Sequence, residues 1–509
     1  MSDKNSSDIS PNLEENRSRL ADIFKNSADL SFRELWFDKT SKGFLVYLDG
    51  LVDRQYMSAF VIRPLLDFRS AEKNSEQAEG SEPILSLKIL HRDVLSNSLI
   101  NTVKTLDEVV RGILSSRTAL FLEGAEEVLL LETFGAETRN VQQSETESTI
   151  RGPREGFVER IEVNASLLRR KIKDQHLRLE AMSLGQRTNT TIYVAYIEGI
   201  ANPKIVDEVK RRLQSIDIDG ILESGYIEQL IEDAPQSIFP TVGTTEKPDK
   251  LTAKLLEGRV GILVDGTPFV ITVPYLFVEA FQNPEDYYSR PYYASLVRLI
   301  RYLAFYFSTT LPAFYVAIQT YHQEMVPTSL LISMSAGREG IPFPVLIEAL
   351  GMGVVYEILR EAGIRMPHTV GQAVSIVGAL VVGEAAVQAG LFSQVMVILV
   401  ALTVISGFLV PPMTGPVSLL RLYFLVATSF LGMFGWLMAL LAIVIHLLSV
   451  RSFGIPYLSP IVPTNIGDLK DGMIRSPLWS MLSRPSLLSP YRRQSKKDMK
   501  NSLKKIKGS

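Results

Sequence analysis

The chain has 509 residues, a formal net charge of −2 and no cysteine. This length accommodates about three units at roughly 100–200 residues per domain. The absence of cysteine excludes disulfides, thiolate metal sites and cysteine nucleophiles. The charge is unevenly distributed, because residues from Arg451 onward include twelve Lys and Arg against three Asp.

The first 28 residues are polar and lack the apolar stretch of a signal peptide. We therefore expect residues 1–28 to be disordered. We also expect the soluble region that follows to stay in the cytoplasm.

The soluble region contains an internal repeat. FLVYLDG (44–50) and YVAYIEG (193–199) lie 149 residues apart, and each leads into a helical pattern. ILSSRTALFLEG (113–124) aligns with LLEGRVGILVDG (255–266), 142 residues later. Each of these reads as a helix, a strand, and an acidic-Gly turn into another strand. The repeat predicts a two-lobed α/β head made by duplication, with lobe 1 at 29–134 and lobe 2 at 157–290.

Between the lobes, residues 135–156 are rich in polar residues, glycine and charge, which predicts a linker or exposed loop. The acidic-Gly pairs Glu123-Gly124 and Asp265-Gly266 have two interpretations, as ligand contacts or as hairpin turns. Turn chemistry favours the second.

An all-α transmembrane domain is predicted at 291–450. Between Thr369 and Leu420 the only charged residue is Glu384, whereas a bilayer crossing takes about 20 apolar residues. Pro312 should kink the first span. The four predicted spans are 302–321, 371–391, 395–410 and 422–450.

The segment 344–362 leaves the topology open. If it crosses the bilayer, there are five spans and the basic tail lies outside. If it does not, there are four spans and both termini are cytoplasmic. The predicted short basic tail, 451–509, favours a cytoplasmic C-terminus by the positive-inside rule. We therefore expect a re-entrant or interfacial helix at 344–362.

The span 371–391 carries two kinds of candidate residue. Gly371, Ser375, Ala379 and Gly383 recur every four residues, and such a small-residue stripe lets another helix pack closely. Beside it, Glu384 and Gln388 form a polar pair one turn apart. Glu384 is either protonated and hydrogen-bonded in a tight bundle or part of a wet path for ions.

Segment 344–362 adds a second membrane carboxylate, Glu348, which should face protein or water rather than lipid. It lies on the opposite helix face from Glu357, nine residues away. The candidate pore or gating residues are Val377, Leu380, Glu384, Gln388 and Glu348.

Three segments resemble the GerA family, the A subunits of bacterial spore germinant receptors. They are 342–408, which includes GQAVSIVGALVVGEAAVQAG, 258–305, which ends in SRPYYASLVRLIRYLAF, and 446–463, which reads HLLSVRSFGIPYLSPIVP. The resemblance runs from about Phe32 to Pro485. It departs at Glu384, where the family often has Gln, which argues against a universal role for this carboxylate.

The resemblance implies a role in spore germination. It also implies two partners, a transporter-like B subunit that recognises the nutrient and a lipoprotein C subunit. The A subunit is expected to form a homo-oligomeric, nutrient-gated channel for monovalent cations in the spore inner membrane, in contact with membrane lipids.

Two alternatives within the same system are a non-conducting scaffold and a signal-amplifying A-type subunit. A stand-alone secondary transporter is less favoured, because the repeat lies in the head rather than in two membrane halves.

No enzymatic function is expected. The chain has no P-loop, no GxSxG and no HExxH, and its five histidines are scattered singly. We therefore expect no catalytic, cofactor or metal site and no nucleic-acid partner.

Overall fold

The computed structural model divides the chain into two compact units. The described residues are 8–25, 27–37, 42–68, 87–95, 99–135, 147, 149, 151–365, 383–465, 467–481 and 483–489. The head comprises the described residues of Met1–Glu232, Val242–Pro274 and Leu482–Ser509. The helical unit comprises those of Asp233–Thr241 and Tyr275–Met481.

The head contains two five-stranded antiparallel sheets, one per lobe. The lobe 1 strands are β1 (Leu30–Trp36), β2 (Lys42–Leu48), β3 (Ile100–Val103), β4 (Arg117–Leu122) and β5 (Val128–Glu132). The lobe 2 strands are β6 (Leu177–Leu184), β7 (Thr190–Ile197), β8 (Gly243–Thr245), β9 (Val260–Val264) and β10 (Val270–Val273). The strand orders, β1-β2-β4-β5-β3 and β6-β7-β9-β10-β8, are the same. The sequence repeat is therefore a repeat of topology.

Helices cover these sheets. The described helices of the head are α1 (Leu13–Phe24), α2 (Arg54–Met57, continuing as a π-helical turn, Ser58–Ile62), α3 (Leu87–Ile89, continuing as a π-helical turn, Leu90–Val94), α4 (Leu106–Leu114), α5 (Ile161–Lys171), α6 (Pro203–Gln214), α7 (Ser224–Ile231) and α8 (Pro248–Glu257). The lobe cores are built from one face of these helices and the strand residues beneath them.

The repeat extends to individual hydrogen bonds. The Asn16 side chain binds both the N–H and the carbonyl of Ser10 (3.0 and 2.6 Å), and Asn164 does the same with Val158 (2.8 and 2.6 Å). Gly124 and Gly266 occupy the β4–β5 and β9–β10 turns with φ of +76° and +90°. A positive φ favours glycine. These pairs are hairpin turns, as the turn interpretation predicted.

The prediction of a disordered N-terminus was wrong for the described residues from 8 to 25. Asn12 caps α1 by accepting from the N–H groups of Glu14 and Glu15 (2.9 and 3.3 Å). Leu20 and Phe24 are fully buried in the lobe 1 core. Residues 1–28 are polar on average because the other face of α1 is polar, and this average conceals the apolar face of an amphipathic helix. Lobe 1 therefore begins well before residue 29.

Part of the predicted linker packs on lobe 2. Glu147 accepts a hydrogen bond from Thr245 (2.5 Å) and forms an ion pair with Lys250. Burial opposes its charge, but Lys250 and these hydrogen bonds hold the pKa of Glu147 below its usual range. Residue 147 is thus a contact point on lobe 2 and not part of an exposed loop.

A buried ion pair joins the two lobes. Arg169 donates from Nε to Asp29 Oδ2 (2.6 Å) and from Nη2 to Asp29 Oδ1 (3.0 Å). Its Nη2 also donates to Ser27 Oγ (3.0 Å). The two charged side chains are 0% and 3% exposed. Nearby, the Ala28 N–H donates to the Leu179 carbonyl (2.9 Å), on the edge strand of lobe 2.

Lobe 2 should lose stability as the pH rises from about 4.5 to about 7. Burial and the nearby Glu232 and Glu223 carboxylates raise the pKa of Glu228 to about 7. A raised folded-state pKa adds stability below the unfolded value of about 4.5, and this contribution is lost as pH climbs to about 7.

Glu228→Gln should therefore leave stability unchanged at pH 4 and raise it by about 1–2 kcal/mol at pH 8, after discounting for solvent screening. Thermal unfolding of the full chain at both pH values measures this. The exposed Glu126→Gln is the control. An equal gain at both pH values would contradict the prediction.

The second unit is mainly helical. Its described helices are α9 (Glu285–Tyr288), α10 (Pro291–Tyr321), α11 (Thr328–Ala336), α12 (Val345–Arg365), α13 (Gly383–Gln388), α14 (Gln394–Gly407) and α15 (Thr414–Ser449). A short hairpin of β11 (Arg451–Ser452) and β12 (Ile455–Pro456) follows. Among the described residues, one helix, Pro411–Ser449, is long and apolar enough to cross a membrane, and Gln394–Gly407 is a shorter apolar helix.

The predicted spans correspond to these helices with shifted ends. Span 302–321 forms the second part of α10, and span 395–410 corresponds to α14, which ends at Gly407. Segment 344–362 is a single helix, α12, that continues to Arg365. Most of span 371–391 lies outside the described residues, which resume at α13.

The predicted last span, 422–450, is not one continuous rod. Helix α15 is broken at Gly432, whose φ and ψ are +58° and −137°. The rings of Phe424 and Trp436 lie 6.3 Å apart, although twelve residues of straight helix would separate them by about 18 Å. The chain therefore folds back at Gly432 as a helical hairpin.

Tyr321 closes the tip of this hairpin. Its hydroxyl donates to the Ser429 carbonyl (2.5 Å), one of the groups that a helix break leaves without a partner. A Cβ at Gly432 would meet the Tyr321 side chain at 2.9–3.1 Å. The tip therefore needs glycine both for its φ and for its close approach to α10.

The boundary between lobe 2 and the helical region lies earlier than predicted. Residues from Tyr275 belong to the helical unit, and Phe281 stacks on Tyr302 with ring centroids 4.0 Å apart. Arg298, which is fully buried, donates to Asp286 (3.1 Å) and Asp471 (3.0 Å). The charge of this arginine is thus neutralised by ion pairs.

The described residues between 451 and 489 include several that pack against the rest of the protein, which the prediction of a free tail did not anticipate. The Ser452 hydroxyl donates to the Thr241 carbonyl (2.6 Å) within the helical unit. In the head, Ser489 donates to the Ile200 carbonyl (2.6 Å), and Leu488 is 1% exposed. Tertiary contacts thus fix parts of this region in place, whereas its basic composition had predicted a tail. Residues 490–509, with eight of the twelve basic residues, lie outside the described residues.

Candidate functional site

Helix α12 directs two of its carboxylates, Glu348 and Glu357, toward different helices. Glu348 contacts Ser393 at the start of α14, whereas Glu357 contacts Ser418 on α15. Their separation by nine residues places them on opposite faces, as the sequence predicted. The helical unit therefore contains two separate polar clusters.

Glu348 lies at the N-terminus of α14 and is 0% exposed. Its Oε1 accepts from both the N–H and the hydroxyl of Ser393 (2.5 Å each). The Ser393 hydroxyl also caps α14 by accepting from the Met396 N–H (3.2 Å). A carboxylate is favourable at a helix N-terminus because of the free N–H groups and the helix dipole. The capping residue thus links α12 to α14.

The second carboxylate oxygen of Glu348, Oε2, has fewer polar contacts than Oε1. Within the described part of the chain, Oε2 is buried and has no hydrogen bond, while Arg338 Nη2 lies 3.7 Å away. The Tyr315 hydroxyl of α10 is buried close to Ser393 and makes no hydrogen bond of normal geometry among the described residues. We call Glu348, Ser393, Arg338 and Tyr315 the Glu348 cluster.

A second cluster joins α12 to the first half of α15. Glu357 accepts from Arg360 (2.7 Å) and from the Ser418 hydroxyl (2.8 Å). Arg421, which is 8% exposed, donates from Nε to the Ser308 carbonyl (3.2 Å) and lies 3.8 Å from Glu357. We call Glu357, Arg360, Ser418 and Arg421 the Glu357 cluster. Opposite charges and hydrogen bonds offset the cost of burying Arg421 among apolar helices.

The Glu357 cluster borders a cavity of about 690 Å³ between α12 and α15. Most of its wall is apolar. Among the residues that line it are Ala349, Gly353, Glu357, Ser418, Arg421 and Leu425. The cavity thus has four charged side chains, Glu357, Glu361, Arg365 and Arg421, around a mainly apolar space.

The candidate residues on span 371–391 are only partly described. Glu384 accepts from Gln388 (3.1 Å) on the exposed helix α13. A Cβ at Gly383 would meet nothing within 4 Å in the described part of this chain. Val377, Leu380, Gly371, Ser375 and Ala379 lie outside the described residues. Gln388 is thus the described partner of Glu384, and the other five positions stay predictions.

Sequence reasoning missed Ser393, Arg421 and Gly432. Ser393 carried a usable signal, because a serine directly before the apolar run of α14 is typical of a helix cap. Arg421 stands at the edge of the charge-poor region and looked like an ordinary boundary residue. Gly432 gave no signal, since glycine is common in membrane helices. Among the described residues, no group of three His, Cys, Asp or Glu is placed to bind a metal.

Comparisons with known proteins agree with one another. Residues 18–487 match the model of the Bacillus/Clostridium GerA spore germination protein family. Spore germination protein KA of Bacillus subtilis (strain 168) is 43% identical over 485 residues, which cover 94% of this chain and 87% of that protein. The membrane protein YfkQ of the same organism is 40% identical over 503 residues, or 97% and 96% of the two chains.

One solved structure is also similar, the N-terminal domain of the A subunit of the Bacillus megaterium spore germinant receptor GerK3. It is 32% identical and covers 53% of this chain and 98% of its own, with a TM-score of 0.41. The family match and the full-length relatives carry the assignment. The chain belongs to the GerA family of spore germination proteins, a family of membrane-bound germinant-receptor A subunits and not of enzymes.

Proposed function

We propose that this A subunit assembles as a homo-oligomer with an ion path through its helical unit. Nutrient binding to the receptor would open the path and release monovalent cations at the start of germination. Its partners would be a transporter-like B subunit and a lipoprotein C subunit, in the spore inner membrane.

The observation that carries this proposal is the Glu348 cluster. A carboxylate buried among apolar helices is costly and is usually retained for a functional reason. Here Arg338 and Ser393 engage Glu348, yet one carboxylate oxygen and the Tyr315 hydroxyl make no hydrogen bond of normal geometry among the described residues. Such groups suit a polar path more than a dry packing contact.

We propose an even number of membrane crossings. By length alone, helix α12, with 21 residues and about 31 Å, can make one crossing, in place of the re-entrant or interfacial helix expected from the sequence. Arg421 contacts Ser308 and Ser429 contacts Tyr321, so the first half of α15 runs parallel to α10. After Gly432 the second half returns, which adds a crossing and keeps both termini cytoplasmic.

This topology can be tested by cysteine labelling, because the chain has no native cysteine. A membrane-impermeant maleimide should reach Phe430→Cys at the hairpin tip and Glu339→Cys from the outer side only. It should reach Arg365→Cys from the cytoplasmic side only. Labelling of all three from one side would contradict the proposal.

The ion path is tested by polarising its candidate lining. Leu380→Ser and Val377→Ser should increase cation leakage from unstimulated spores, because a polar lining lowers the barrier to hydrated ions. The control is Ile398→Ser on α14, whose side chain is 67% exposed. Unchanged potassium efflux across the set would contradict a pore at this helix.

The Glu348 cluster is tested by Glu348→Gln, which keeps the shape and removes the charge facing Arg338. We expect the rate of nutrient-triggered potassium release to change at least tenfold with receptor levels unchanged. Glu384→Gln, which restores the residue frequent in the family, should have little effect. Equal effects of the two substitutions would contradict a special role for Glu348.

The alternative is a non-conducting scaffold or a signal-amplifying A-type subunit. It is favoured by the two hydrogen bonds from Ser393 to Glu348, which also suit a structural anchor. Under this alternative, Glu348→Gln lowers the amount of receptor and leaves the release rate per receptor unchanged.

A further inference from the structure

Lobe 2 carries an exposed apolar surface next to its most acidic segment. Leu222, Tyr226 and Leu230 are 68%, 45% and 49% exposed. Tyr226 and Leu230 lie one turn apart on one side of α7, and Leu222 lies just before its extended N-cap residue, Glu223. Ile227 and Ile231 on the other side are buried in the lobe. We call the surface formed by Leu222, Tyr226 and Leu230 the α7 face.

The segment around the α7 face is uniformly negative. Residues 215–233 contain six Asp and Glu and no Lys or Arg. Of the described basic groups nearby, Arg212 is engaged with Glu208 (2.7 Å) and with the Ile231 carbonyl (2.6 Å), and Arg187 lies 3.8 Å from Asp219. The pKa of Glu228, raised by burial and by its carboxylate neighbours, agrees with a negative potential here. An occupant of this face should be basic and amphipathic.

The C-terminal segment of the same chain has that chemistry. Residues 490–509 contain eight Lys and Arg and one Asp. Within them, Met499, Leu503 and Ile506 are spaced so that a helix would align them in one stripe.

The position of the last described residues allows the contact. Ser489 is tied to the Ile200 carbonyl in lobe 2, the lobe that carries α7. From this anchor, twenty residues reach up to about 66 Å when extended, far more than the width of one lobe. The C-terminal segment therefore starts on the correct lobe and has ample length.

We propose that residues 490–509 dock on the α7 face as a basic amphipathic helix, with Met499, Leu503 and Ile506 against Leu222, Tyr226 and Leu230. The surrounding lysines and arginines then lie near the carboxylates of residues 215–233. This contact lies in the head and does not depend on the proposed ion path.

The competing occupant of the basic segment is an anionic lipid surface, which attracts clusters of Lys and Arg next to membrane domains. The carboxylates around α7 repel such a surface but attract a basic peptide. The two occupants therefore respond differently to the charge of the surrounding lipid, which an experiment can vary.

The test uses the full chain in nanodiscs with one engineered cysteine in each partner. Tyr226→Cys with Leu503→Cys should form an intrachain disulfide at least tenfold faster than Leu99→Cys with Leu503→Cys. Leu99 is a similarly exposed leucine (57%) in lobe 1. Neutralising the helix with Lys504→Gln and Lys505→Gln should slow the first reaction, and 0.5 M salt should do the same.

A second readout does not need a disulfide. Maleimide labelling of Tyr226→Cys should be at least fivefold slower in the full chain than in a chain ending at Ser489. Equal labelling rates would overturn the proposal. So would protection that disappears when neutral nanodiscs are replaced by nanodiscs with 30% phosphatidylserine, since the lipid would then hold the segment. A disulfide found only between two chains would also overturn it.

Discussion

Replacing Gly435 by alanine is expected to disrupt the helical unit. The chain folds back at Gly432 so tightly that a Cβ at Gly435 would lie 2.1 Å from the Ala427 carbonyl oxygen and 2.9 Å from the Leu431 Cβ. The Ala427 oxygen belongs to the backbone, so it can only retreat if the two halves of α15 separate. Overpacking of this kind costs up to about 3 kcal/mol, and more against rigid backbone.

The measurement is the thermal stability and yield of the detergent-solubilised full chain. Gly415→Ala is the matched control, because it lies on the same helix and its added Cβ would meet nothing within 4 Å in the described part of the chain. The hairpin geometry would be contradicted if Gly435→Ala and Gly415→Ala gave the same stability and yield.

Arg169→Met is expected to loosen the contact between the two lobes of the head. It would leave Asp29, 3% exposed, without its bidentate partner. Removing one member of a buried ion pair costs about 3–5 kcal/mol, because the remaining charge stays buried and unpaired. The Ala28 N–H, which bonds across the lobes to Leu179, should then exchange with solvent about 100-fold faster or more.

The double variant Arg169→Met/Asp29→Leu separates the pair energy from the packing. It should recover much of the lost protection, because no isolated charge remains. Arg17→Met serves as the control, since its partner Glu34 and Arg17 itself are 57% and 40% exposed. Such surface pairs contribute about 1 kcal/mol or less. Equal exchange of Ala28 in Arg169→Met and Arg17→Met would show that the buried pair does not hold the lobes together.

The repeat in the head was predictable because it consists of short sequence patterns, each made by neighbouring residues. The acidic-Gly turns at Gly124 and Gly266 and the strands around them need only a few neighbouring residues to be recognised. The N-terminal helix was missed for the opposite reason. Its apolar residues, Leu20 and Phe24 among them, are sparse, and only the lobe 1 core gives them something to pack against.

In the helical unit, the sequence predicted which residues of α12 lie on opposite faces of the helix. It did not predict which residues of other helices those faces contact. The 100° turn per residue places Glu348 and Glu357 on opposite faces in any helix. That Ser393 meets one and Arg421 lies near the other depends on how distant helices pack. Sequence spacing does not contain that information.

The sequence by itself determined that a duplicated α/β head precedes an apolar helical region, and that the family is GerA. Periodicity, turn residues and hydropathy depend on residues close together in the chain, so they can be recognised from the sequence alone. Only the tertiary structure decided that α15 folds back at Gly432 and that Asp29 and Arg169 form a buried ion pair between the lobes. It also decided that residues such as Ser452 and Ser489, in the predicted tail, pack against the rest of the protein. Those features rest on contacts between residues far apart in the chain, where steric fit and burial set the free energy.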